Sequence, residues 1–219
     1  MALNNSYDEQ AVIQAIAAAL ETFYDTLIEK VDTLNIQKVM RRKNPYLYRA
    51  KAMKSAAEIV ESVLMAFVSS SEETVFGNCF FEPIAVAASG GNKALAEGID
   101  IMIHDKETNV ITAIAVKSGP AVFNADSKKR QEQNFVQASK LAQQAKARYE
   151  AYIGYGYGKK AESGRGKPRI YQELAGKKFW TELTGDEEFY TKIITYMGDM
   201  PEKYVADYKE SYNKAFNRL

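Results

Sequence analysis

The first third of the chain carries apolar residues at helical spacing. Over residues 13–31 they recur every three or four positions, which predicts a packing helix with one apolar face. The Asn44-Pro45 pair interrupts the pattern, and a second apolar stripe over residues 56–67 predicts another helix. We therefore expect a helical N-terminal layer over residues 1–69.

Capping residues predict two further helices. Ser69-Ser70-Ser71 is a typical N-cap, so we expect a third helix that runs from there to about Ala88. Asp126 or Ser127 is the expected N-cap of a fourth helix, whose apolar stripe covers residues 135–149.

Two alternating stretches between these helices predict a β-hairpin. Residues 99–103 and 110–117 read as strands, and the polar residues 105–109 read as the loop that joins them. Asp100 is the single acid in the first strand, and Lys117 ends the second, so pairing brings the two side chains near each other. This arrangement suits a metal-dependent phosphodiesterase. The alternative is a partly exposed salt bridge that stabilises the hairpin.

The remainder of the chain predicts one more strand over residues 151–157 and a mostly helical region from Tyr171 onward. The order helix, hairpin, helix, strand indicates an α/β or α+β fold with a small mixed sheet. The expected apolar anchors of the C-terminal region are Trp180, Phe189, Ile193 and Ile194.

Length and composition favour one domain. A chain of 219 residues with 46% hydrophobic residues can bury one sizeable core, and no linker or repeat divides it. We expect a single domain over residues 1–219, with its core in residues 70–160 and a C-terminal helical region in residues 161–219. The chain start has no basic segment followed by an apolar one, and no apolar run is expected to span a bilayer, so we expect a soluble cytoplasmic protein without a membrane partner.

The scarcity of two residue types excludes several kinds of site. Cys79 is the only cysteine and His104 the only histidine. An intramolecular disulfide, a cysteine-cluster or histidine-rich zinc centre and a Cys-His dyad are therefore excluded.

The formal net charge is +1, so any nucleic-acid binding must use local basic patches. Arg41-Arg42-Lys43 and Lys128-Lys129-Arg130 are two compact patches. A third surrounds glycines and is the strongest candidate for phosphate contacts, because glycines let the backbone approach a ligand closely. Each patch has a solvated surface as its alternative interpretation. The third patch consists of Lys159, Lys160, Arg165, Lys167 and Arg169.

Two helix glutamates could supply a second carboxylate. Glu73 and Glu82 are nine residues apart, so on one helix they face opposite ways and only one can serve a single site. We favour Glu73, because Gly77, four residues later on nearly the same side, lets another backbone come close. The alternatives are a helix-dipole acid for Glu73 and a solvated carboxylate for Glu82.

The helix glutamate, the strand aspartate and the strand-ending lysine together resemble the core of the PD-(D/E)xK nuclease superfamily. Several phrases over residues 43–196 are similar to those of type II restriction endonucleases. They are Lys43-Asn44-Pro45-Tyr46-Leu47, Ser70-Ser71-Glu72-Glu73-Thr74, Gly98-Ile99-Asp100-Ile101, Lys117-Ser118-Gly119-Pro120 with Asn124, and Gly176-Lys177-Lys178-Phe179-Trp180 with Thr184-Gly185-Asp186.

The resemblance implies a four-stranded mixed sheet flanked by helices and Mg²⁺-dependent hydrolysis of double-stranded DNA, with Mn²⁺ as a possible substitute. It implies Asp100 as metal ligand, Lys117 as catalytic lysine and Glu73 as helix glutamate, with the Val116 carbonyl completing the site and Glu82 a weaker second choice. The superfamily usually has an acid two residues before the lysine, where this sequence has alanine. A non-catalytic DNA-binding module and a partner-binding protein therefore stay open as alternatives.

A polar stretch follows the lysine and is suited to contacts with a phosphate or a base edge. Its residues are Ser118, Asn124 and Ser127, and their alternative role is a loop that leads into the next helix. A homodimer is expected, because a two-fold enzyme treats the two strands of a symmetric site equivalently.

Overall fold

The computed structural model describes residues 3, 6–91, 93–160 and 170–217. In these ranges the elements are α1 (Glu9–Asp32), α2 (Ile36–Met40), α3 (Pro45–Ala50), α4 (Ala56–Cys79), α5 (Phe81–Ala88), β1 (Ile101–Asp105), β2 (Val110–Lys117), α6 (Ala125–Gln144), β3 (Arg148–Tyr155), β4 (Gln172–Ala175), α7 (Lys177–Thr184), α8 (Phe189–Met197) and α9 (Glu202–Asn217).

The strands form a four-stranded mixed sheet in the order β1-β2-β3-β4. β1 and β2 pair antiparallel, as a hairpin must, whereas β3 joins β2 in parallel after the crossover through α6. β4 is parallel to β3. The predicted α+β class with a small mixed sheet and flanking helices is confirmed.

The first compact unit contains residues 1–18 and 77–198 and therefore the whole sheet. One face of the sheet packs its small residues against Phe135 and Ala138 of α6. On the other face, a Cβ placed on Gly154 would overlap the ring of Phe179 in α7. Trp180, also in α7, is fully buried and donates from Nε1 to the Gly156 carbonyl at 2.8 Å. Glycine on β3 thus lets α7 lie directly on the sheet.

The second compact unit contains residues 19–76 and 199–219 and is helical in its described part. Its core brings together α1, α2, α4 and α9 through Val31, Ile36, Leu64 and Ala215. The single domain over residues 1–219, with parts at 1–69, 70–160 and 161–219, stays a prediction.

The expected N-cap at Ser69-Ser70-Ser71 is wrong, because α4 runs through these residues without a break. Val68 and Val75 are both buried, and this packing outweighs the preference of serine for caps. The helix breaks at Phe80 instead, just before α5, whose first turn contains Pro83. Proline is tolerated there because the amide groups of a first turn have no partner within the helix.

The N-cap of α6 is Asn124 rather than Asp126 or Ser127. The carboxamide of Asn124 accepts from the Ser127 amide at 2.8 Å, and the Ser127 hydroxyl accepts from the Asn124 amide at 3.0 Å. This reciprocal pair is a capping box, in which Ser127 occupies the third helical position. In the predicted stripe Phe135, Ala138 and Ala142 are buried, whereas Ala145 follows the helix end and Tyr149 belongs to β3.

Two other predictions in the C-terminal part are wrong. β4 lies in a region expected to be helical, and a strand of four residues is too short to show a clear alternation. Ile194 is 71% exposed, whereas the other three predicted anchors, Trp180, Phe189 and Ile193, are buried.

α1 is long and apolar enough, by length and composition alone, to cross a membrane. No run of that kind was expected from the sequence. Val12, Ile16 and Leu27 of this helix are buried inside the protein, which is typical of a helix that packs one apolar face against a core.

Candidate active site

The hairpin places Asp100 and Lys117 on one face of the sheet. Met102 pairs with Ala113 and His104 with Ile111, so the alternate positions of both strands share a face. Asp100 precedes β1 and Lys117 ends β2, and the lysine Nζ lies 3.7 Å from Asp100 Oδ2. Both side chains keep a route to solvent, with 17% of Asp100 and 29% of Lys117 exposed.

Backbone groups of β2 complete this arrangement. The Val116 amide donates to Asp100 Oδ2 at 2.6 Å, and Lys117 Nζ donates to the Val116 carbonyl at 2.9 Å. The Asp100 amide donates to the Ile114 carbonyl, so the Val116 carbonyl, two residues later, points to the same side of β2. The Asp100 carboxylate, the Lys117 ammonium group and the Val116 carbonyl therefore lie together at the end of β2, just before the first residue of β1.

The Asp100 carboxylate has one occupied and one open oxygen. Oδ2 accepts the Val116 amide and faces the lysine, whereas Oδ1 has no protein hydrogen-bond partner within the described ranges. A carboxylate oxygen with free lone pairs and partial exposure is able to accept a cation or a water.

The position two residues before the lysine belongs to the core. Ala115 has no exposed surface and lies in the apolar cluster with Phe135, Ala138 and Ile153. An acidic side chain there would lose its hydration among apolar groups, which is costly without a partner. Helix α6 thus occupies the space that a second strand carboxylate would need.

The structure places the two candidate glutamates in different surroundings. Glu82 lies in the first turn of α5, and its carboxylate is 3.7 Å from Lys93 Nζ. Lys93 bridges to Ile101, whose side chain is on the face opposite to that of Asp100. Glu73 is an exposed residue of α4 and belongs to the second unit. The roles of both as metal ligands stay predictions.

The polar residues after Lys117 are engaged in local structure. Ser118 meets Gly77 of α4, where an added Cβ would lie 3.1 Å from the serine side chain. Asn124 and Ser127 form the capping box of α6. Their contacts with DNA stay predictions.

The third basic patch is described only in part. Lys159 is exposed, and 29% of the Lys160 side chain is exposed. Arg165, Lys167 and Arg169 lie outside the described residues.

A second charged cluster, which the sequence did not indicate, lies on the same face of the sheet. Glu173 of β4 is in register with Ile153, which is in register with Ala115, so the three share a face. The Glu173 carboxylate accepts from the Tyr155 hydroxyl at 2.8 Å and lies 3.2 Å from Lys160 Nζ and 3.3 Å from Lys128 Nζ. Only 6% of the Glu173 side chain is exposed.

This environment keeps Glu173 ionised. Burial raises the pKa of Glu173, but hydrogen bonds from Tyr155 and Lys160 and the nearby charge of Lys128 outweigh it and hold the pKa below its usual range. One carboxylate thus fixes two ammonium groups, one from the first turns of α6 and one from the segment after β3. The position of Glu173 between these two lysines does not follow from the sequence pattern, because that pattern does not predict β4.

The donor atoms at the hairpin fit magnesium better than zinc. In the part of the chain that the structure describes, no group of three His, Cys, Asp or Glu side chains is placed to share a metal ion. Mg²⁺ needs only one or two carboxylates, since it keeps several waters. The Asp100 carboxylate and the Val116 carbonyl are oxygen donors of the kind that Mg²⁺ prefers.

Comparison with protein families places most of the chain in a known family. The model of the family described as type II restriction endonuclease EcoO109I matches residues 10–204. No curated protein matches the chain.

Proposed function

Because this chain belongs to the family of type II restriction endonuclease EcoO109I, a group of DNA nucleases with a restriction-endonuclease-like fold, we propose that it cleaves double-stranded DNA by Mg²⁺-dependent hydrolysis of phosphodiester bonds. The observation that carries the proposal is the meeting of Asp100, Lys117 and the Val116 carbonyl on one face of the sheet.

Asp100 and Val116 are the proposed ligands of the metal. The open Oδ1 of Asp100 and the Val116 carbonyl offer two hard oxygen donors at the same sheet end. A bound Mg²⁺, or Mn²⁺ in its place, would stabilise charge on the scissile phosphate and lower the pKa of a bound water.

Lys117 is the proposed catalytic lysine. Its ammonium group is tethered by Asp100 and the Val116 carbonyl, so it is held in one place beside the proposed metal ligands. There it would orient or deprotonate the attacking water and offset negative charge that develops on the phosphate.

The second carboxylate is proposed to come from a helix, because Ala115 is committed to the core. We favour Glu73. Gly77, one turn later on nearly the same side of α4, approaches Ser118 directly after the lysine. Glu82 is less suited, because it is already paired with Lys93.

DNA contacts are proposed for polar and basic residues that follow Lys117 or belong to the third basic patch. Lys160 is partly exposed and fixed by Glu173, which suits contact with a phosphate. A homodimer and a cytoplasmic location are part of the proposal. The other proposed contacts are Ser118, Asn124, Ser127, Lys159, Arg165 and Lys167.

Ala115 favours one second candidate function. If no helix carboxylate reaches Asp100, the site lacks the second carboxylate that the proposed nuclease uses, and the protein would be a non-catalytic DNA-binding module on a degenerate nuclease scaffold.

A cleavage assay on purified protein tests these proposals. Phage and supercoiled plasmid DNA are incubated with Mg²⁺, Mn²⁺ or a chelator, and discrete fragments that need the metal support the nuclease. Lys117→Ala should slow cleavage by about 10²–10⁴-fold, the usual contribution of a proton-transferring side chain, and leave DNA affinity nearly unchanged.

Lys106→Ala is the matched control, because Lys106 is exposed in the hairpin loop at the far end of the same strands. It should cleave at the wild-type rate. DNA binding without cleavage by the wild type would support the second candidate, and the absence of DNA binding would reject both.

A further inference from the structure

Positive charge is concentrated in one short segment of the second unit. Residues 33–57 contain seven basic and no acidic residues, although the whole chain has 29 basic and 28 acidic ones. The rest of the chain therefore has 22 basic and 28 acidic residues, a net charge of −6. The seven residues, called the basic segment below, are Lys38, Arg41, Arg42, Lys43, Arg49, Lys51 and Lys54.

In the part of the chain that the structure describes, no acidic side chain pairs with these cations in a way that would give them a structural role. All seven are exposed. Within the described ranges no carboxylate lies within ion-pair distance of any of them, and Lys51 Nζ has only a 3.3 Å contact with the Ser62 hydroxyl. Seven like charges so close together repel one another, which favours binding of an anionic partner.

The segment is nevertheless built as a fixed platform. Asn35 caps α2 by accepting from the Lys38 amide, and Asn44 caps α3 by accepting from the Tyr46 amide. Ile36 and Tyr48 are buried and anchor the two short helices, which are about 8 and 9 Å long. A fixed arrangement of charges loses little entropy on binding.

An aromatic side chain stands among the charges. Tyr46 is 81% exposed and its neighbour Leu47 is 53% exposed, next to Arg41-Arg42-Lys43 in the sequence. Tyrosine hydroxyls, like arginine and lysine side chains, donate hydrogen bonds to phosphate oxygens. Duplex DNA presents many such oxygens, since it carries one phosphate charge per about 1.7 Å of helix axis.

We propose that the basic segment binds the phosphate backbone of duplex DNA and supplies affinity that does not depend on base sequence. This inference rests on the proposed function, but it concerns a surface of the second unit, whereas the proposed metal ligands Asp100 and Val116 lie in the first. The segment would hold DNA whether or not the duplex contains a cleavage site.

Salt dependence of binding tests the proposal. The variant Arg41→Gln/Arg42→Gln/Lys43→Gln is compared with the wild type by fluorescence anisotropy, using a duplex of arbitrary sequence in chelator between 50 and 200 mM NaCl. Each lost phosphate contact makes the slope of log K against log salt less negative by about 0.9. For the triple variant, the slope of log K against log salt should therefore be less negative by about 2–3. The variant should also bind at least about tenfold more weakly at 100 mM salt.

A second triple variant removes the same charge elsewhere in this unit. Lys203, Lys209 and Lys214 are exposed on α9 among Glu202, Asp207 and Glu210. Their replacement by glutamine should change affinity by less than about threefold, because mixed charge attracts phosphate weakly. Circular dichroism of both variants verifies that they fold.

Equal losses in the two triple variants, or an unchanged slope in the first, would overturn the proposal. If the wild type never cleaves but the first triple variant alone loses slope, the nuclease is rejected and the basic segment is supported. A wild type that cleaves while the first triple variant keeps its slope supports the nuclease and rejects the basic segment.

Discussion

Replacing Glu173 by glutamine should destabilise the protein far more than a single charge change at the surface. The carboxylate is nearly buried and receives the Tyr155 hydroxyl and the ammonium groups of Lys160 and Lys128. Glutamine is almost the same size and keeps an oxygen that can accept from Tyr155. The variant therefore removes the negative charge and leaves two ammonium groups facing each other.

The structure bounds the magnitude. Breaking a fully buried ion pair costs about 3–5 kcal/mol, whereas exposed pairs contribute at most about 1 kcal/mol. The carboxylate is buried but each lysine is about a third exposed, with 30% and 29% of the side chains of Lys128 and Lys160 accessible. Water can therefore solvate the released ammonium groups, and we expect a loss of about 1–3 kcal/mol in the free energy of unfolding at pH 7.

The loss should depend on pH. The pKa of Glu173 is lower in the folded than in the unfolded protein, so its contribution is complete above the unfolded pKa and disappears as pH falls through the folded pKa. Urea unfolding at pH 7 and at several values below about pH 4.3, the ordinary glutamate pKa, should show the wild type and Glu173→Gln converging in acid.

The control is Glu210→Gln, which removes a charge paired with Lys214 on the surface of α9. Both of these side chains are largely exposed, so a much smaller change is expected. Equal losses in the two variants, or a Glu173→Gln loss that is the same at all pH values, would refute the argument.

Three further substitutions test the fold around the site by urea unfolding. Gly154→Ala should lower the free energy of unfolding by about 1–3 kcal/mol, because the added methyl overlaps the Phe179 ring. An unchanged urea midpoint would contradict that packing. Ala115→Glu should cost about 3 kcal/mol or more and leave cleavage no faster, since the carboxylate is forced into the core; a faster enzyme would show that the position can join the site. Asn124→Ala should lower the free energy of unfolding by about 1 kcal/mol, because the α6 cap is lost. A simultaneous drop in DNA affinity, measured by anisotropy, would support the predicted contact of Asn124 with DNA.

Local patterns were sufficient to predict the hairpin. Alternation fixes which side chains share a face, and the loop between the strands is short, so the approach of Asp100 to Lys117 follows from about eighteen consecutive residues. The helices of the N-terminal layer were predictable for the same reason, because their apolar stripes repeat every three or four residues.

Features that depend on distant parts of the chain were not predictable. The serines at 69–71 are good capping residues by themselves, and only the burial of Val68 and Val75 shows that the helix continues through them. The strand pairing of β4 and the position of Glu173 between two lysines arise from parallel neighbours far apart in sequence.

The site itself was predictable only in its strand part. Asp100 and Lys117 are linked by local pairing, whereas the partner of Glu82 is a lysine that precedes β1, and a helix carboxylate can be placed only by tertiary packing. The alanine at position 115 reads in the sequence as a missing ligand. In the structure it is a packing residue under α6.

The antiparallel hairpin also bears on how the protein folds. Val116 and Asp100 are joined across 16 residues, whereas the parallel pairing of β2 with β3 must wait for the crossover through α6 to close. We expect the hairpin to be among the early structures on the folding pathway, since short closures cost less chain entropy. The side chains proposed for chemistry would then be set in place before the rest of the sheet assembles.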